Sequence, residues 1–183
     1  MAFMFVSATN MANEPKISTN GAKKSLSFEL DRTAPKTMVS LEDINGNTIY
    51  SEVVTREMGF AKKFDLNNLE SGSYFLKVDD DLKEMVYTID LDSTGVKVAS
   101  KTESNKPLFK KEQSKVSVSL LNLDLNKVEI QVVDSNNRIL FSEEFKNELT
   151  IQKTFNFQSA FNDSYTVVVK DGSKTFYEDI VVK

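Results

Sequence analysis

Three groups of acidic and amide residues are the parts of this chain that could bind a metal ion. Asp79-Asp80-Asp81 and Asp90-Leu91-Asp92 cluster carboxylates, and Asp43-x-Asn45-Gly46-Asn47 resembles the opening of a Ca²⁺ loop. Ca²⁺ needs roughly six to eight oxygen ligands. The first two groups lack the spacing of an EF-hand loop, and the third lacks the bidentate acid at its end. We therefore predict solvated turns at all three places, and no metal site.

A pair of carboxylates could also catalyse hydrolysis, as in glycosidases. However, no pattern in the sequence places two acids in one cleft. The chain contains no Cys and no His, which excludes the Ser-His-Asp and Cys-His arrangements. We therefore predict a protein that is not an enzyme, with no catalytic residues, no cofactor-binding residues and no cofactor. A carboxylate-dependent hydrolase stays as a distant alternative.

Three aromatic residues, Phe109, Phe155 and Phe157, would form a platform for carbohydrate if they were exposed. They lie in or beside strand patterns, so we predict that they pack in a core or at a domain contact.

The segment Leu69–Tyr74 has a different pattern, in which Gly72 precedes a Tyr that opens a strand. Gly72 would supply a positive φ, and the Tyr74 hydroxyl would bond a nearby backbone group, as in a tyrosine corner. Tyr165 repeats this Tyr, and we predict that both tyrosines are structural.

The composition favours a soluble globular protein, with 40% hydrophobic and 27% charged residues. The net charge of −4 argues against a nucleic-acid partner, because binding to phosphates needs concentrated Lys and Arg. Residues Ala2–Val6 form a short apolar run followed by small residues, as at the end of a secretory signal cleaved after Ala8 or Ala12. The run is too short to span a bilayer, so we predict no integral membrane protein.

The second half of the chain repeats the first at an offset of 91 residues. Identical residues keep this spacing without a gap: Asp43, Asn45, Ser51, Glu52, Lys62, Phe64, Ser73, Tyr74, Val78 and Ile89 recur as Asp134, Asn136, Ser142, Glu143, Lys153, Phe155, Ser164, Tyr165, Val169 and Ile180. Two copies of a unit this small predict two domains in tandem, arising from an internal duplication.

Apolar and polar residues alternate with a period of two, as in Val128, Ile130 and Val132, which predicts β-strands. Asn45-Gly46 and Asp171-Gly172 mark turns between such runs. With about six or seven strands per copy, we predict an all-β protein of two tandem immunoglobulin-like or fibronectin-like antiparallel β-sandwiches. The predicted segments are a remnant signal peptide and disordered lead-in (1–20), sandwich 1 (21–100), a linker (101–107) and sandwich 2 (108–183).

Residues 37–91 resemble the C-terminal sorting domains of cargo for the type IX secretion system of Bacteroidetes-type bacteria. The resemblance lies in two segments, Val39–Gly46 with its Asp-x-x-Gly turn and Leu66–Val78 with its Leu-x-x-Gly-x-Tyr pattern, and in the chain end Asp179–Lys183. In the second copy, Asn137 and Asp163 stand at the positions of the two Gly residues. The resemblance implies an immunoglobulin-like sandwich and an exported protein, and it identifies no functional residue.

From these patterns we expect an exported protein in the periplasm, at the cell surface or outside the cell. The main expectation is a non-catalytic binding or structural role, with an unknown protein or a surface polysaccharide as the partner. The alternative is a type IX cargo protein with a C-terminal sorting domain, for which the last sandwich would be needed for export.

Overall fold

The computed structural model of the chain describes residues 14–20, 24–31, 36–55 and 59–183. All regular elements in these ranges are β-strands, which confirms the predicted all-β class. The described ranges contain no helix that is long and apolar enough to cross a membrane. The predicted signal sequence lies outside the described residues.

The strands follow one another along the chain with short turns between them. Those of the first sandwich are β1 (Lys16–Asn20), β2 (Ser25–Leu30), β3 (Thr37–Asp43), β4 (Thr48–Val54), β5 (Phe60–Asp65), β6 (Gly72–Asp79), β7 (Lys83–Leu91) and β8 (Val96–Asn105). Those of the second are β9 (Leu108–Glu112), β10 (Lys115–Leu121), β11 (Val128–Asp134), β12 (Ile139–Phe145), β13 (Thr150–Asn156), β14 (Asp163–Asp171) and β15 (Lys174–Val182).

Each sandwich consists of a three-stranded sheet and a larger sheet. In the first, β1-β2-β5 is accompanied by β4-β3-β6-β7-β8, and in the second β13-β10-β9 is accompanied by β12-β11-β14-β15. The pairs β2–β5, β3–β4 and β3–β6 are antiparallel, as are their counterparts in the second sandwich. This strand order is that of an immunoglobulin-like or fibronectin-like sandwich.

The alternating apolar residues of both sheets fill one core per sandwich. Phe28, Val39 and Leu76 are fully buried in the first core, and Ile130 and Val167 are fully buried in the second. Residues between them on the same strands face outward, so the period of two sets which side chains form the core.

Strands with the same place in the two sandwiches lie 91 residues apart. The bounds of β3, β4 and β7 reappear with this offset in β11, β12 and β15. The pairing register also shifts at equivalent places, between Leu41 and Glu42 on β3 and between Val132 and Val133 on β11. Both sandwiches therefore carry a β-bulge beside the same edge strand.

Two parts of the predicted organisation differ from the structure. The disordered lead-in was expected to reach residue 20, but Lys16–Asn20 form β1, which pairs with β2 while Ile17 packs against the first core. The predicted linker, residues 101–107, includes the last five residues of β8. The chain divides into two compact units between Glu103 and Ser104, and Asp81–Glu84 belong to the second unit. Backbone hydrogen bonding to a neighbouring strand orders both polar segments, although neither has the alternating apolar pattern.

The turn residues adopt the predicted left-handed conformation. Gly46 has φ of 82° and Asn137, its counterpart, has φ of 58°, so Asn replaces Gly without changing the turn. Gly172 has φ of 55° between β14 and β15. The prediction for Gly72 was wrong, because its φ is not in the positive region and it is the first residue of β6. An extended position accepts any residue, which explains why Asp163 stands there in the second copy.

Candidate functional site

Two of the acids considered for a metal site, Asp43 and Asp92, cap turns. The Asp43 Oδ1 accepts hydrogen bonds of 2.8 Å from the backbone N–H groups of Asn45 and Asn47, and its Oδ2 accepts one of 2.7 Å from the Asn47 side chain. The Asp92 Oδ1 accepts from the Thr94 and Gly95 backbone at 2.7 and 3.0 Å. These are the bonds of an Asx turn, in which the carboxylate replaces a backbone acceptor.

Asp134, the counterpart of Asp43, makes the same turn with an added Arg. Its Oδ1 accepts from the Asn136 and Arg138 backbone at 3.0 and 2.9 Å, and its Oδ2 accepts from the Arg138 Nε at 2.6 Å. Burial raises the pKa of Asp134, but the hydrogen bonds from Arg138 and Asn136 outweigh burial, and the net shift is downward. Hydrogen bonds from the Asn47 side chain and backbone likewise lower the pKa of Asp43.

The lowered pKa of Asp134 predicts how the second sandwich responds to acid. In an unfolded chain this carboxyl has a pKa of about 3.9. Since the folded value is lower, the ionised carboxylate stabilises the fold above the unfolded pKa, and this contribution is lost as the pH falls through the folded pKa. We expect Asp134→Asn to lower the free energy of unfolding at neutral pH and to make it less dependent on pH below about 4.

Urea unfolding at a series of pH values, followed by amide NMR signals of β11, measures both effects. The exposed Asp124 provides the control substitution, Asp124→Asn, and an equal loss of stability in acid for wild type and Asp134→Asn would contradict the prediction.

The prediction of solvated turns was wrong for Asp79 and Asp90, which belong to the strands β6 and β7. The Asp90 Oδ1 accepts a 2.9 Å hydrogen bond from the Ser73 hydroxyl, and the Asp90 Oδ2 lies 3.9 Å from the Lys97 ammonium. Asp90, Asp92 and Lys97 border a shallow pocket of about 180 Å³. Among the described residues, no three carboxylates lie close enough together to hold a metal ion.

Both tyrosine corners are present. The Tyr74 hydroxyl donates to the Glu70 carbonyl at 2.7 Å, and the Tyr165 hydroxyl donates to the Phe161 carbonyl at 2.9 Å. Both rings are buried, at 7% and 6% exposure. The predicted structural role of these tyrosines is therefore confirmed, and each one fixes the loop that precedes its strand.

The three aromatic residues considered for a carbohydrate platform pack against the second core. Phe157 is buried, while Phe109 and Phe155 are half-buried against the same cluster. The exposed aromatic residues in this sandwich are instead Phe161 and Tyr177, at 89% and 65% exposure. No sequence signal marked either one, because Phe161 lies in a loop and Tyr177 follows the same alternation as a core strand.

A cluster of aromatic, Lys and Glu side chains closes one side of each sandwich, between β4 and β5 and between β12 and β13. In the first, Tyr50 and Phe64 meet edge-to-face at 5.2 Å, the Lys62 ammonium lies 4.4 Å from the centre of the Tyr50 ring, and the Tyr50 hydroxyl donates to Glu52. Burial, followed by the Glu52 carboxylate, raises the pKa of the Tyr50 hydroxyl.

The second sandwich repeats this cluster at the counterpart residues. Phe141 and Phe155 meet edge-to-face at 5.1 Å, the Lys153 ammonium lies 4.9 Å from the centre of the Phe141 ring, and Lys153 pairs with Glu143. Edge-to-face rings and a cation over a ring stabilise a partly exposed contact. Lys62 and Phe64 thus join the two sheets of the first sandwich, whereas Glu52 bonds to Tyr50 on its own strand.

Comparison with known proteins gives one family match and several distant structural neighbours. Residues 20–90 match the family described as the secretion system C-terminal sorting domain. No curated protein sequence matches the chain. The two fibronectin type III domain segment from chicken tenascin is 9% identical with a TM-score of 0.32, and the alignment covers 93% of this chain and 98% of that one.

Two further structural neighbours are longer than this chain. The chicken CNTN1 FN1–FN3 domains are 13% identical with a TM-score of 0.29, over 92% of this chain and 66% of that one. The BSP domain of a biofilm-associated protein is 14% identical with a TM-score of 0.28, and the match covers 93% of this chain but spans only 29% of the neighbour's length. Because these scores are low, the fold assignment rests on the strand order.

The family match covers nearly one whole sandwich. It begins at the last residue of β1 and ends at Asp90, one residue before the end of β7, so it includes β2 to β6 and leaves out β8. The first sandwich of this chain is therefore an immunoglobulin-like β-sandwich that resembles the C-terminal sorting domains of secretion-system cargo.

Proposed function

We propose that this chain is cargo of a type IX secretion system and that its first sandwich is the sorting module. The observation that carries the proposal is the family match over residues 20–90, which includes β2 to β6 and all but the last residue of β7. We place this function ahead of a general binding or structural role, because the family match is to a sorting domain. Under this proposal the protein is exported across the outer membrane.

We further propose that the protein acts without catalysis and that its two sandwiches arose by duplication. Support for the first point comes from carboxyl groups of the described residues, because hydrogen bonds lower the pKa values of Asp43, Asp65, Asp92, Glu112, Glu129, Asp134, Glu144 and Asp163. A general acid would need a raised pKa instead. The strand bounds that recur at an offset of 91 residues support the second point.

Export of a reporter tests the sorting function. A fluorescent protein with its own inner-membrane signal peptide, fused ahead of the chain, would be expressed in a Bacteroidetes-type host. We expect the reporter outside the cells when the type IX system is intact, and in the periplasm of an isogenic strain that lacks the outer-membrane step. Equal export by both strains would contradict the proposal.

A matched pair of core substitutions identifies the sandwich that carries the signal. Leu76 and Val167 are counterparts in β6 and β14, and both are fully buried. A buried, unpaired carboxylate disrupts a core, so Leu76→Asp disrupts the first sandwich and Val167→Asp the second. We expect Leu76→Asp to abolish export and Val167→Asp to preserve it, with immunoblots of total reporter controlling for degradation. Export that depends on Val167 alone would assign the signal to the second sandwich.

A further inference from the structure

The outer edge of β15 differs from the equivalent edge in the first sandwich. β7 and β15 occupy the same place in their sheets, Lys83–Leu91 and Lys174–Val182. β7 lies between β6 and β8, whereas β15 has a neighbour on one side only, β14, in the part of the chain that the structure describes. The strand β8 of the first sandwich is therefore a guide to the kind of strand that the outer edge of β15 accepts.

The side chains of β15 are covered less well than those of β7. Met85 and Leu91 on β7 are buried, with 2% exposure each. Their counterparts Phe176 and Val182 face the second core in the same way but are only half-buried. An added strand beside β15 would cover both, and burial of apolar surface favours such an addition.

The backbone of β15 presents hydrogen-bonding groups at this edge. Asp171 pairs with Lys174 across the two-residue turn, and a closing pair of this kind exchanges both backbone hydrogen bonds. Alternate residues from Lys174 onward therefore bond to β14, and the N–H and C=O groups of Thr175, Tyr177, Asp179 and Val181 point to the outer edge. The Lys111 ammonium donates to the Asp179 carbonyl at 3.2 Å, which agrees with this direction.

The charge of β15 selects between possible occupants. Glu178 and Asp179 lie at its middle, so antiparallel pairing of two β15 strands centred on each other would place acid opposite acid. In the first sandwich the Lys101 ammonium of β8 lies 5.9 Å from the centre of the Tyr87 ring on β7. Glu178 is the counterpart of Tyr87, and its carboxylate pairs with the Lys111 ammonium at 2.5 Å, so this edge already holds a Lys on a carboxylate where a Lys at the place of Lys101 would lie.

We propose that the outer edge of β15 binds an extended segment of another polypeptide, which adds as a fifth strand in the way that β8 adds to β7. The segment resembles β8 in having a central Lys and small polar residues on its exposed face. Its backbone bonds to the outward groups of β15, as in strand addition to other sheet edges. This site lies on the second sandwich and does not depend on the proposed sorting function of the first.

Binding of a labelled peptide tests the proposal with the full chain. The probe is a synthetic peptide of residues 96–105, with a fluorophore at its N-terminus, and the readout is fluorescence anisotropy. We expect saturable binding, and we expect Tyr177→Pro to weaken it about tenfold by removing one outward N–H group. Proline is tolerated on an edge strand when its position faces away from the neighbour. The control is Tyr177→Ala, which also removes the exposed ring but keeps the N–H group and should bind as well as wild type does.

A second substitution gives an expected gain. Because Lys111 occupies both the Asp179 carbonyl and the Glu178 carboxylate, Lys111→Ala should make both acceptors available to the peptide and tighten binding about threefold. The absence of saturable binding to both wild type and Lys111→Ala would overturn the proposal. It would also be overturned by binding that Tyr177→Pro leaves unchanged in a variant whose β14 amides remain protected from exchange. Dimerisation of the chain that is lost in Tyr177→Pro would instead assign this edge to a second copy.

Discussion

Ile89→Ala is expected to lower the free energy of unfolding of the first sandwich by about 3 kcal/mol, because it leaves a cavity beside fully packed neighbours. Ile89 is 0% exposed and lies on β7, between β6 and β8. Its counterpart Ile180 is 7% exposed on β15, which has one neighbouring strand in the described structure. We expect Ile180→Ala to cost about 2 kcal/mol, since a site beside an open edge can relax more easily.

Amide hydrogen exchange measures the two effects separately within one chain. Val39 and Leu41 on β3 report on the first sandwich, and Ile130 and Val132 on β11 report on the second. Each substitution should accelerate exchange in its own sandwich and leave the other within about 0.5 kcal/mol of wild type, because effects at distant sites are independent. Equal acceleration in both sandwiches by either substitution would show that they unfold as one unit.

Gly59→Ala is the second substitution with a large expected effect. A Cβ atom at this position would lie 2.7 Å from the Leu30 carbonyl oxygen and 3.0 Å from that of Asp31. Both contacts are with backbone at the end of β2, where Leu30 pairs with Phe60 on β5, so the strands would have to move apart. We expect a loss of about 2 kcal/mol in the stability of the first sandwich, as for other overpacked positions.

The matched control for Gly59 is Gly72→Ala. No heavy atom lies within 4 Å of a Cβ at Gly72, and its φ is not in the positive region. This substitution should change stability by less than about 1 kcal/mol, with a gain from the less flexible unfolded chain. Urea unfolding of both variants, monitored through the amides of β3, makes the comparison. A Gly59→Ala protein as stable as Gly72→Ala would show that the ends of β2 and β5 can separate without cost.

Much of the fold could be predicted from local patterns. Alternation of Val128, Ile130 and Val132 gave a strand with a buried face, because the pleat places alternate residues on opposite faces. The Asn45-Gly46 turn has the expected positive φ. The tyrosine corners could be expected from the position of Tyr74 at a strand start, since a buried hydroxyl must find an acceptor nearby.

The edge strands could not be predicted in this way. β1 and β8 are exposed along most of their length, so their residues have no apolar period, and pairing with β2 and β7 makes them strands. Gly72 was assigned a positive φ from its residue type, but an extended backbone also allows Gly. The open edge of β15 has no sequence signal because it depends on which strand lies beside it.

The β-bulges beside β4 and β12 have a consequence for behaviour at high concentration. A bulge increases local twist, and a twisted edge is a poor template for edge-to-edge aggregation. Both large sheets have this feature on the same side, next to Leu41 and Val132. Strands added from other molecules would therefore extend the large sheet of the second sandwich at β15 and not at β12. Molecules crowded together would resist stacking into fibrils through their bulged sides, and solubility would depend mainly on the opposite edges.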